Sequence, residues 1–68
     1  MARRKLHETR VGRRCTVKIY RDPDSDEYVV KAFIDGKVKG EAFESDMQAA
    51  RGTAAAEARW LRRQTPCR

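Results

Sequence analysis

From residue 15 to residue 21 the side chains alternate, with Val17 and Ile19 on one side and Thr16, Lys18 and Tyr20 on the other. That is the period of a strand with one buried face. The run stops at Asp22-Pro23-Asp24-Ser25-Asp26-Glu27, whose side chains form turns, and a second β-branched and aromatic run, EYVVKAFI, occupies residues 27–34. Asp35-Gly36 separates it from residues 37–43, and Asp-Gly between apolar runs signals a tight hairpin. The pattern predicts three antiparallel strands in chain order.

Register decides which side chains share a face. A two-residue loop pairs Ile34 with Lys37 and puts Lys37 and Lys39 on the side of Val30, Ala32 and Ile34. A three-residue loop, with Gly36 left-handed in a bulge, pairs Phe33 with Lys37 and groups Tyr28, Val30 and Ala32 with Val38, Gly40 and Ala42. The second arrangement buries no lysine, and an unpaired buried ammonium costs several kcal/mol, so it is the expected one. The opposite face then carries Lys18, Tyr20, Val29, Lys31, Phe33, Lys37, Lys39 and Glu41, with basic and aromatic side chains interleaved.

Ser45 to Gln48 has the spacing of a capping box and marks a helix start. Asp46 in the first turn and Arg59, Arg62 and Arg63 in the last suit the helix dipole, and Pro66 limits the run. Met47, Ala50, Ala54, Ala58 and Leu61 recur every three or four residues and form one apolar stripe, mostly of alanine, which allows a close approach to Val17, Ile19, Val30 and Ala32. Trp60 lies off the stripe and is expected to cover one edge of the core. Gly52 costs up to about 1 kcal/mol relative to Ala inside a helix, with no reason for it evident in the sequence. The fold expected is α+β: a three-stranded antiparallel sheet packed on one C-terminal helix (βββα), with residues 1–12 a flexible basic arm, residues 13–63 the folded unit and residues 64–68 a tail.

Size limits what such a fold can do. The chain has 68 residues, and nine of those counted in its 40% hydrophobic fraction are Ala; charged residues make up 38% and mean hydropathy is −0.86. One thin core of this kind supplies about 3–5 kcal/mol. There is no nucleophile–base pair, no paired carboxylates, no Gly-rich phosphate loop and no metal set at usable spacing, so no enzyme, no cofactor and no small-molecule substrate are expected. No apolar run approaches a membrane span, and the basic start lacks the apolar segment of a secretory signal, so the expected location is the cytoplasm. Cys15 and Cys67 lie far apart outside any CxxC pair and are expected to be reduced thiols. His7 is expected to be a solvated side chain. Asp22, Asp24 and Asp26 alternate as in a calcium loop, but Glu27 stands where Gly is needed and Phe33 where Glu is needed, so they are taken as turn acids.

The formal charge is +6, and it is unevenly distributed. Residues 1–14 carry Arg3, Arg4, Lys5, Arg10, Arg13 and Arg14 against Glu8, and Arg59, Arg62, Arg63 and Arg68 meet no acid, whereas residues 15–58 hold six bases and nine acids. A lysine-and-aromatic sheet face flanked by basic segments suits a polyanion, because lysines neutralise phosphates while aromatic rings pack on sugars or bases. Double-stranded DNA is the expected partner, contacted by Lys18, Tyr20, Lys31, Phe33, Lys37 and Lys39, with Arg3, Arg4, Lys5, Arg10, Arg13 and Arg14 on flanking phosphates. The alternative is a protein-interaction module, such as a phage- or plasmid-type inhibitor, antitoxin or assembly factor, that uses the same face or a strand edge.

The order βββα, with Phe43-Glu44-Ser45 leading into Ala49-Ala50-Arg51 and further alanines, resembles the arm-binding domains of phage-type tyrosine recombinases and the DNA-binding domains of plant ethylene-response proteins. The resemblance covers about fifty residues, most firmly residues 43–58, and implies that the open sheet face sits in the DNA major groove through the six strand residues just named. Asp35-Gly36-Lys37, Gly40-Glu41 and the Ala-rich helix are also similar to the C-terminal half of double-stranded-RNA-binding domains, but Asp46 and Met47 stand where that family carries lysines.

Overall fold

A computed structural model describes residues 3–67. Four strands form one antiparallel sheet in chain order: β1 (Arg4–Arg10), β2 (Cys15–Asp22), β3 (Glu27–Ile34) and β4 (Lys37–Glu44). A helix, α1 (Met47–Arg62), and a short 3₁₀ turn (Thr65–Cys67) follow.

The expected α+β fold with one C-terminal helix is present, but the sheet has four strands, not three. The supposed flexible arm is β1, paired with β2 from Arg4↔Arg21 to Arg10↔Thr16. Charged side chains on an exposed edge strand need no apolar alternation, since neither face of that strand is fully covered. A bulge at Leu6, between the pairs Lys5↔Tyr20 and His7↔Ile19, also breaks the two-residue period.

The β3–β4 hairpin combines parts of the two registers weighed above. Ile34 pairs with Lys37, and Asp35 and Gly36 take φ values of 54° and 78°, so the loop has two residues with positive φ, as a type I′ turn requires. An extra residue in β4, Lys39, then shifts the pairing from Phe33↔Val38 to Ala32↔Gly40. Beyond this bulge Val30 and Ala32 face Ala42 and Gly40 on the helix side, as expected, while Val38 moves to the open side. Lys37 lies at the solvent-exposed end of the sheet, so the shorter loop buries no ammonium.

The core lies between β2, β3 and α1. Cys15, Val17, Ile19, Val30 and Ala32 are buried against Ala50, Ala54, Ala58 and Leu61, the expected alanine stripe, with Met47, Val11, Tyr28 and Ile34 partly buried around them. Gly40 of β4 lies under α1, where a Cβ would stand 3.0 Å from Oε2 at the end of the Glu57 side chain. Thr53 Oγ1 donates to Glu44 Oε2 at 2.6 Å across the same contact. Trp60 is 40% exposed beside Lys39 and Gly40 at the β4 edge. The helix cap is Asp46, not Ser45: its carboxylate accepts from the Ala49 amide at 2.7 Å, and its own backbone is extended. Two adjacent residues could each serve as cap, and spacing alone selected the wrong one.

The cysteines form a disulfide, which corrects the expectation of free thiols. Cys15 begins β2 and Cys67 ends the 3₁₀ turn, 52 residues later, with Cα atoms 5.5 Å apart. The expected tail is thus anchored: Cys67 is buried, and its carbonyl oxygen would lie 2.4 Å from a Cβ on Gly12. Only a residue without a side chain fits there.

Candidate functional site

Alternation along four paired strands sorts the open face into three rows. One is Lys5, Tyr20, Val29 and Phe43; the next is Glu8, Lys18, Lys31 and Glu41; the third is Arg10, Thr16, Phe33 and Val38. Lys18 and Lys31 stand directly opposite each other, an unfavourable pairing of like charges. Each ammonium lies over a ring in an adjoining row: Lys18 Nζ is 4.9 Å from the centroid of Phe33, and Lys31 Nζ is 5.7 Å from that of Tyr20. Lys31 also meets Glu41 at 3.5 Å, whereas Lys18 has no ion pair among the described residues.

The face is less open than its position suggests. Val29 is fully buried between Tyr20 and Phe43, so these rings form a second, smaller apolar cluster on the side away from α1. Phe43 and Val38 are about half exposed. Arg3 lies over Phe43, 5.9 Å from the centroid, and reaches both Asp22 and Glu41.

Of the expected contact residues, Lys18, Tyr20, Lys31 and Phe33 share this face. Lys37 is in register with Ile34 at the sheet end and Lys39 is the exposed bulge residue, so neither joins the rows. Lys5 and Arg10 do join them, because β1 extends the sheet on that side. Arg4 pairs with Arg21 on the opposite side. Arg13 is exposed in the β1–β2 loop, and Arg14 forms a two-pronged ion pair with Asp35. Val38 and Glu8 belong to the face and were not expected there, because the bulge at Lys39 reverses the parity of Val38 and residues 1–12 show no strand period, while Phe43 follows from the alternation that places Glu41.

Several carboxyls are held below their ordinary range. At Asp22 the main cause is the Asp24 amide donating to it, helped by Arg3. Arg14 lowers Asp35, and Lys5, bonded at 2.9 Å, lowers Glu8. Arg21 pairs with Asp26 and stacks on Tyr28 at 4.9 Å. Among the described residues there is no group of three or more His, Cys, Asp or Glu placed to hold a metal ion. No helix there is long and apolar enough to cross a membrane. Compared with family models, curated proteins and solved structures, the chain matches none.

Proposed function

We propose that this is a non-enzymatic nucleic-acid-binding protein that holds duplex DNA against the face bearing Lys5, Arg10, Lys18 and Lys31. The observation that carries this reading is the central lysine pair, with each ammonium over an aromatic ring on the open face of the four-stranded sheet. A cation above a ring is fixed in place yet keeps its donors for a phosphate, and neighbouring rings can pack on sugar or base.

Fluorescence anisotropy with a labelled mixed-sequence duplex, at several salt concentrations, tests it. Four phosphate contacts give a slope of about −3.6 in log K against log salt, and Lys18→Ala/Lys31→Ala should reduce it by about 1.8. Absence of binding at low salt, or an unchanged slope in the double variant, refutes the proposal.

A protein partner is the second reading, favoured by half-exposed Phe43 and Val38 and by Glu8 and Glu41, which offset the lysines on the same face. The disulfide also favours it, since structural cystines belong mainly to oxidising compartments rather than the cytosol.

A further inference from the structure

On the other side of the sheet, α1 packs chiefly on β2 and β3 and reaches β4. Between the helix and β1 lies an open groove of about 540 Å³. Ala55 contributes exposed apolar surface to it, above the buried Ile19, Ala54 and Ala58, while His7 and Thr9 of β1 line one wall and Arg51, Arg59 and Arg62 line the other. None of these three arginines has an ion pair among the described residues, and no acid lines the groove. Arg59 and Arg62 lie in the last turn of α1, where the dipole favours cations, but Arg51 is in the second turn and gains nothing from it. Arg51 and Arg62 are eleven residues apart, about three turns, so they align along one side of the helix over roughly 16 Å.

We propose that this groove binds a small phosphate ester with a planar or apolar body, of mononucleotide size. The volume suits one small molecule rather than a protein segment. Charge complementarity gives its sign, and the residue type gives its chemistry: all three cations are arginines, whose planar forks engage phosphate oxygens in pairs. Arg59 and Arg62, one turn apart, take the phosphate. The body lies over Ala55 and the edges of Ala54 and Ala58 with the His7 ring beside it, and Arg51 meets the polar far end. His7 Nε2 lies 3.1 Å from Thr9 Oγ1, so the β1 wall presents a linked pair of polar groups.

The site is separate from the lysine face, so the two proposals fail independently. The full chain, with its disulfide intact, is titrated with adenosine 5′-monophosphate, adenosine and inorganic phosphate while backbone amides are followed by NMR. Saturable shifts at His7, Thr9, Arg51, Ala55 and Arg59 are expected with the monophosphate, with binding about tenfold weaker or more for adenosine and for phosphate alone. Arg59→Lys/Arg62→Lys, which keeps charge and helix propensity, should weaken binding several-fold, and Lys18→Ala/Lys31→Ala should leave it unchanged. Shifts absent from the groove, equal binding of adenosine and its monophosphate, equal binding of inorganic phosphate, or indifference to the arginine-to-lysine exchange each overturn the proposal.

Discussion

Reducing the Cys15–Cys67 bond should cost the protein about half of its stability. The bridge joins residues 52 apart, and the entropy that such a closed loop removes from the unfolded chain corresponds to about 4 kcal/mol at room temperature. The noncovalent core is what remains after that loss. It consists of Val17, Ile19, Val30 and Leu61 with four small alanines, in a size class where a single core supplies about 3–5 kcal/mol. The oxidised protein should therefore unfold in one transition, and the reduced protein, left with its core alone, should keep at most about 3–5 kcal/mol and stay mostly folded without denaturant. Urea titrations followed by circular dichroism at 222 nm, with and without reductant, measure the difference. With a urea slope of about 1 kcal/mol per molar, expected for so small a domain, the midpoint should fall by roughly 4 M. Comparing oxidised with reduced wild type isolates the cross-link, and Cys15→Ala/Cys67→Ala should behave like the reduced form or slightly worse, since both sulfurs are buried. A midpoint shift under about 1 M would show that chain entropy is the wrong account and that the sheet and helix stand without the bridge.

Two glycines should respond oppositely to alanine. Gly52→Ala, exposed in α1 with nothing within 4 Å of the new Cβ, should raise stability by up to about 1 kcal/mol, read as a higher Tm. Gly12→Ala, forced against the Cys67 carbonyl, should lower it by about 1–3 kcal/mol in the same assay. Asp46→Ala should cost about 1 kcal/mol, whereas Ser45→Ala should change little; the reverse order would return the cap to Ser45. Asp22 and Asp35 are lowered in the folded protein from an ordinary value of 3.8, so they stabilise it above that pH and lose the contribution as pH falls through their folded values. The urea midpoint should thus decline below about pH 4, and less steeply in Asp35→Asn, which keeps a residue tolerant of positive φ.

What the chain disclosed in advance follows from which elements have one wet and one dry face. Residues of β2 and β3 and the alanine stripe of α1 alternate or recur because one side of each meets the core, and Lys18, Tyr20, Lys31 and Phe33 are correctly grouped for that reason. β1 has no such contrast, so its seven residues carry no legible period. Lys37 and Lys39 were misplaced because a single bulge residue reverses parity, and no local residue preference marks where that occurs. The disulfide depends on where residue 67 arrives after the helix has packed, a tertiary fact with no local signature.

The sheet is wider than the single helix laid on it. Four strands at about 4.8 Å spacing put the outer strand axes roughly 14 Å apart, while one helix with its side chains covers only about 10–12 Å. α1 packs on β2 and β3 and is displaced toward β4, so the remainder falls as an uncovered shelf beside β1. The arginine-lined groove is therefore a consequence of unequal layer widths. Changes in the side chains along its walls would alter what it holds, while the shelf itself would persist as long as a fourth strand is paired to β2.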